Sequence, residues 1–196
     1  MRPKGPGGLW LIFDFDGTLA WLKVDWRSVR ARIEALYGPL RGKPLFSWLQ
    51  ERVERGLEVA RAFELIKEAE LGALRELAFD GDILALLREL RARGAKLALV
   101  SMQDDEVLAE ALRLMGAQDL FDIVLGRATE PLREAQLSAV LRRWGIRPDQ
   151  AIFISDRLED VEIGRELGLG VKRLFFFDGS LKRWLEELLA SSSKGE

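Results

Sequence analysis

A chain of 196 residues, 48% apolar and about a third charged, suits one sizeable core with room for a small second lobe. Thirty Lys and Arg against 32 Asp and Glu leave a formal charge of −2, which argues against a general electrostatic grip on nucleic acid or an anionic membrane. Cys and His are both absent, which excludes disulfides, thiol nucleophiles, histidine bases and the usual zinc sites, so acid–base or metal chemistry has to run on carboxylates with hard cations.

The opening "MRPKGPGG" has no apolar signal-peptide region, and no run is long enough to span a bilayer; a cytoplasmic location is the expectation. Leu11, Ile12 and Phe13 read as a buried strand that ends on Asp14 and Asp16. Residues 21–79 carry amphipathic helical patterns broken near Pro39, Gly42, Pro44 and Gly56, with no convincing strand. They read as a small all-helical lobe inserted after the first strand. Trp21, Trp26 and Trp48 are expected to pack that lobe; Lys23, Arg27, Trp21 and Trp26 are also candidates to line a substrate site, with a structural role the stronger expectation for each.

From residue 80 the pattern alternates. A helix over 82–93 is marked by Ile83, Leu84, Leu86, Leu87 and Leu90 and ended by Gly94. "KLALVS" is a strand, "DDEVLAEALRLMG" a helix opened by Asp104 and Asp105, and "FDIVLG" a strand. A helix over 131–144 follows, then the strand "AIFIS", a helix over 158–167, the strand "VKRLFFF" and a last helix over 180–190. The polar tail "SSSKGE" is expected to be disordered. Alternating strands and helices imply a parallel sheet with right-handed crossovers, which binds ligands beyond the carboxyl ends of its strands. Asp14, Asp16, Ser101 and Asp156 all fall at such ends.

Each marker has two readings. Asp14 and Asp16 can divide nucleophilic and acid–base duties, or form a simple Asx turn. Asp156 and Asp160, four apart where a helix starts, suit a hard cation, or merely complement the helix dipole. Ser101 can bind an anion together with nearby backbone N–H groups, or serve as an ordinary cap.

In this order the markers resemble the haloacid dehalogenase superfamily of phosphohydrolases, most of all its phosphoglycolate-phosphatase branch. "DFDGTLA" looks like the first motif, "LALVS" the second, "SDRLED" the fourth, and the helical lobe the cap of many members. The resemblance implies an α/β fold: a Rossmann-like, doubly wound parallel sheet in 1–20 and 80–196, with the cap in 21–79. Two departures stand out. The third motif is usually a lysine, yet none lies between Lys96 and Lys172; by position the match is Arg133, with Arg127 second. Ser155 stands where the fourth motif usually has Gly.

The resemblance further implies a Mg²⁺-dependent phosphatase. Asp14 is the nucleophile that forms an aspartyl-phosphate, and Asp16 is the acid and then the base. Asp14, the Asp16 carbonyl and Asp156 hold the metal, with Asp160 in support. Ser101 and the amides near Gly17 hold phosphoryl oxygens, and Arg133 balances charge. Dehalogenating members lack the second acid, so Asp16 favours phosphate monoesters, with a small phosphorylated metabolite as substrate. A phosphomutase or phosphotransferase using the same intermediate, and a non-catalytic binding protein on the same fold, are the alternatives. Oligomeric state is not readable. The absence of Cys and Asn, with Arg far outnumbering Lys, points to heat adaptation.

Overall fold

A computed structural model describes residues 8–192. Its centre is a five-stranded, all-parallel sheet of β1 (Trp10–Phe13), β4 (Lys96–Val100), β5 (Ile123–Leu125), β6 (Ala151–Ser155) and β7 (Gly170–Arg173), in the order β5-β4-β1-β6-β7. Central strands of such a sheet are covered on both faces, which is why β1, β4 and β6 read as near-continuous apolar runs. Side chains alternate between two cores. Leu11, Phe13, Leu97 and Leu99 face the helices α4 (Gly81–Ala92), α5 (Asp105–Leu114) and α8 (Ser180–Ser192). Ile12, Ala98, Val100 and Phe153 face α6 (Arg133–Trp144) and α7 (Leu158–Glu166). Helices thus cover both faces, the α/β doubly wound arrangement expected from the alternation. The strand order reverses beside β1, which places a ligand crevice at its carboxyl end.

Between β1 and α4 lie α1 (Trp26–Tyr37), α2 (Leu45–Glu54) and α3 (Ala60–Ala73), which bury their own cluster of Val29, Ile33, Leu40, Leu49, Leu65 and Ile66. This stretch is not wholly helical. Ala20–Trp21 (β2) pairs antiparallel with Ala78–Phe79 (β3), so the chain leaves and re-enters the core side by side. Two-residue strands are too short to show alternation, which hid them in the sequence. One buried tie joins α3 to the core: Arg127 meets the Glu70 carboxylate with two hydrogen bonds of 3.0 and 2.9 Å, and both side chains are at most 1% exposed.

The last strand also departs from expectation. β7 stops at Arg173 because the apolar run "LFFF" turns toward the first loop, where Phe176 N–H donates to the Gly17 carbonyl at 2.8 Å. The helix expected from residue 131 starts at Arg133, since Leu132 is extended. The expected tail begins inside α8, which runs to Ser192; residues 193–196 lie outside the described residues. No described helix is long and apolar enough to cross a membrane.

Candidate active site

The sheet sets the site. Asp14 follows β1, its N–H donating to the Ile154 carbonyl at 2.8 Å, and its side chain is buried. The chain then turns sharply: Leu19 N–H returns to the Phe15 carbonyl, and Gly17 takes φ +82°. Glycine is required there twice over. That φ is strained for other residues, and a Cβ would stand 2.4 Å from Asp156 Oδ2. The turn aims Asp16 back, and its Oδ1 accepts Leu22 N–H at 2.8 Å. Thr18, fully buried, accepts Asp156 N–H at 3.0 Å and so fixes the first loop against the loop after β6.

Arg133 reaches Asp14. It is the first residue of α6, where the helix dipole disfavours a cation. Two carboxylates hold it there: Nη2 lies 2.8 Å from Asp14 Oδ1 and 3.0 Å from Asp160 Oδ2, with the guanidinium 1% exposed. Gln136, one helical turn on, accepts from Arg133 Nη1 at 3.1 Å and donates to the Ser101 carbonyl at 2.7 Å. Arg127, the second candidate for this place, lies elsewhere, committed to Glu70 and to the Met102 carbonyl.

Ser155, the residue in place of the usual glycine, stands between the acids: its hydroxyl is 3.3 Å from both Asp14 Oδ2 and Asp160 Oδ2. Asp160 Oδ2 is thus contacted by both Arg133 and Ser155, the same two side chains that meet Asp14. Ser101 is fully buried, and its hydroxyl is tied to Gln103; Met102 and Gln103, not Ser101, reach the adjoining cavity wall. Asp104 caps α5, and Asp105 binds the N–H groups of Gly126 and Thr129, so both serve structure.

Burial pushes the Asp14 carboxyl up; Arg133 pulls it down, and Asp160 and Asp156 push it up again. Asp16 is pushed up to about 7, chiefly by burial, against the hydrogen bond from Leu22 N–H. Asp156 is likewise raised by burial. Of the five buried side-chain atoms without a hydrogen-bond partner among the described residues, two lie at this site: the acceptor Asp156 Oδ1 and the donor Arg133 Nε. Such orphans are costly unless a ligand satisfies them. Among the described residues no three acidic side chains close a metal cage. Mg²⁺ needs none, since it typically takes one or two carboxylates and fills its remaining positions with water and phosphate oxygens. The orphaned Asp156 oxygen and Asp14 fit that requirement.

Asp14, Asp16 and Arg133 line a cavity of about 490 Å³. Its far side comes from the helical insertion: Trp26, Arg27 and Arg30 of α1, and Leu45 and Phe46 of α2. Of the four residues weighed as lining, Trp26 and Arg27 face the site, and Trp26 packs against the core of the insertion as well. Trp21 stacks edge-on with Phe177, and Lys23 pairs with Glu76, away from it. Sequence reasoning missed Gln136, Glu70 and Thr18. The i, i+3 spacing of Arg133 and Gln136 on one helix face was the one available signal.

The sequence model for haloacid dehalogenase-like hydrolases matches residues 10–168, which takes in every acid of the site. The chain belongs to this hydrolase family. Among curated proteins it is 30% identical over 185 residues to a phosphoglycolate phosphatase of Psychrobacter arcticus, covering 81% of this chain and 80% of that protein. A phosphoglycolate phosphatase of Synechococcus elongatus is 27% identical over 173 residues, with 81% and 80% covered. A haloacid dehalogenase-like hydrolase from Streptococcus pneumoniae shares the fold, with TM-score 0.65 and 20% identity over 94% of this chain and 98% of that one. As a family hydrolase, the protein puts its motif acids at the strand ends around Asp14.

Proposed function

We propose that the protein is a Mg²⁺-dependent phosphatase that hydrolyses phosphate monoesters through an aspartyl-phosphate on Asp14. One observation carries the reading. The buried Asp14 carboxylate, oriented by Arg133 at 2.8 Å, opens into a cavity beside an Asp16 carboxyl held near pH 7. The likeness to phosphoglycolate phosphatases supports it. Residues 21–79 act as the cap, since their helices wall the far side of the same cavity.

Asp14, Asp156 and the Asp16 carbonyl are the groups to hold Mg²⁺, with Asp160 supporting through Arg133 and Ser155. When bound, the ion supplies positive charge to the phosphoryl oxygens and offsets the burial of the acids. Arg133 Nε donates to a phosphoryl oxygen, and Ser101 adds to the cradle once its hydroxyl turns from Gln103; the Gly17 and Thr18 N–H groups, expected to join them, are instead bonded to the Ala20 and Phe15 carbonyls. The Asp14 oxygen–phosphorus bond forms as the ester oxygen–phosphorus bond breaks, and the Asp16 proton goes to the leaving oxygen. Asp16 then takes a proton from water as the water oxygen bonds to phosphorus. The Asp14–phosphorus bond breaks and inorganic phosphate leaves.

Phosphate release from p-nitrophenyl phosphate, with Mg²⁺ and with EDTA, tests the reading. Mg²⁺-dependent turnover that is lost in a folded Asp14→Asn variant is expected. Turnover retained by Asp14→Asn excludes the covalent route. Transfer to added alcohols in place of water would favour a phosphotransferase, and ligand binding without turnover a binding protein.

A further inference from the structure

The cavity is larger and more cationic than a phosphoryl group requires. Its volume of about 490 Å³ lies in the range of about 300–1,000 Å³ that encloses drug-sized ligands. At about 30 Å³ per water-sized unit, a two-carbon phosphate acid fills only a fraction of it. Two acids, Asp14 and Asp16, line it against four guanidinium groups, Arg27, Arg30, Arg133 and Arg157. Arg133 is neutralised by Asp14 and Asp160. The other three are poorly matched. Arg27 has no acidic partner among the described residues, Arg30 gives only Nε to Glu34 at 3.3 Å, and Arg157 Nε is 4.0 Å from Glu159. A phosphate dianion at Asp14 is met by the unpartnered Arg133 Nε donor and by the metal ion of the phosphatase reading, so the cations of the helical insertion call for a second negative group. Beside those cations the wall is apolar: Trp26 and Phe46 meet edge-to-face at 5.4 Å, with Leu45 and Met102 also lining the cavity. Rigid aromatic edges of this kind recognise planar rings.

Resting on the phosphatase reading, we propose that the substrate is a ring-bearing phosphate monoester with a second anionic group, larger than a two-carbon phosphate acid. Its phosphate sits at Asp14 and Arg133, its aromatic or heteroaromatic body lies against Trp26 and Phe46, and its second anion pairs with Arg27 and Arg30. The helical insertion thereby reads both the size and the distal charge of the substrate. Of its residues, Arg27 is the specificity determinant, because it is exposed and holds no internal partner to lose.

Two measurements on the full chain separate this inference from the reading it rests on. The first is kcat/KM in Mg²⁺ for 4-carboxyphenyl phosphate, phenyl phosphate and phosphoglycolate. The second is calorimetric binding of the non-hydrolysable pair 4-carboxybenzylphosphonate and benzylphosphonate, which needs no turnover. The carboxylated ring is expected to lead each series by about tenfold or more, the scale of one charge-assisted hydrogen bond. Arg27→Gln and Arg27→Gln/Arg30→Gln should shrink the carboxylated-to-plain ratio toward one, in turnover and in binding. If phosphoglycolate is the best substrate, or the ratio is insensitive to both variants, the inference is overturned while the phosphatase reading survives. If nothing is hydrolysed yet the phosphonate preference depends on Arg27, the ligand class stands and the phosphatase reading falls.

Discussion

Removing the Glu70 carboxylate should destabilise this protein far more than any surface ion pair would. Glu70 is fully buried and makes two hydrogen bonds to Arg127; its Oε2 also accepts Asp104 N–H at 3.2 Å. Arg127 has a further acceptor in the Met102 carbonyl, and its guanidinium lies 5.4 Å from the centre of the Phe63 ring. In Glu70→Leu the guanidinium stays buried without its counter-ion. Breaking a buried pair from one side costs about 3–5 kcal/mol, a large part of a total of about 5–15 kcal/mol. For a chain of this length each kcal/mol moves Tm by about 2–4 °C, so a fall of about 6–20 °C is expected. Glu70→Leu/Arg127→Met removes both charges and should recover most of the loss, because burying the pair had itself cost desolvation. Thermal and urea unfolding of the wild type, both single variants and the double variant form a complete cycle. A loss under about 1 kcal/mol for Glu70→Leu, the scale of an exposed pair, would refute the reasoning. A double variant as unstable as the two singles added together would do the same.

Arg133→Ala should slow phosphoryl transfer by at least about 100-fold, the scale of losing one preorganised electrostatic group, with Arg133→Lys retaining more; single-turnover kinetics decide it. Asp16 must be protonated to donate, and its carboxyl is held near pH 7 by burial, so that acid form is present below this value and lost above it. The phosphorylation rate of an alkyl phosphate should therefore fall as pH rises through about 7, with Asp16→Ala removing the dependence and an activated aryl phosphate showing less of it. Thermal unfolding should occur above about 75 °C, supported by surface networks such as Lys67 with Asp104 and Glu106, and a mesophile-range midpoint in calorimetry would count against heat adaptation.

How much of this was legible in the sequence depended on period and context. β1, β4 and β6 could be read because strands buried on both faces are apolar runs. β2 and β3 could not, at two residues each, and "LFFF" misled because a hydrogen bond to Gly17 diverts it from the sheet edge. Asp14, Asp16, Asp156 and Asp160 stood out because motif spacing and strand ends coincide. Arg133 came only through the family resemblance, as the residue standing where the third motif usually has a lysine, with Arg127 as rival. Glu70 and Gln136 were hidden, since a polar residue on an amphipathic helix looks solvated until a distant partner is known. For Trp26 and Arg27 the sequence left cavity lining and structure both open for a related reason: the face of α1 that meets the cavity is set by how the insertion folds, and periodicity carries no such information.

The pairing of β2 with β3 has a consequence for how this enzyme can change. To the sheet, everything between Trp21 and Ala78 is the tip of a hairpin whose two stems are already joined. Lengthening such a tip costs little, about 0.6 kcal/mol for each doubling, so one lobe could be grafted in place of another without disturbing the strands below. The graft carries one condition. Arg127 belongs to the host and Glu70 to the transplanted piece, so a donor lobe must bring its own acid to that point or leave a host cation buried alone.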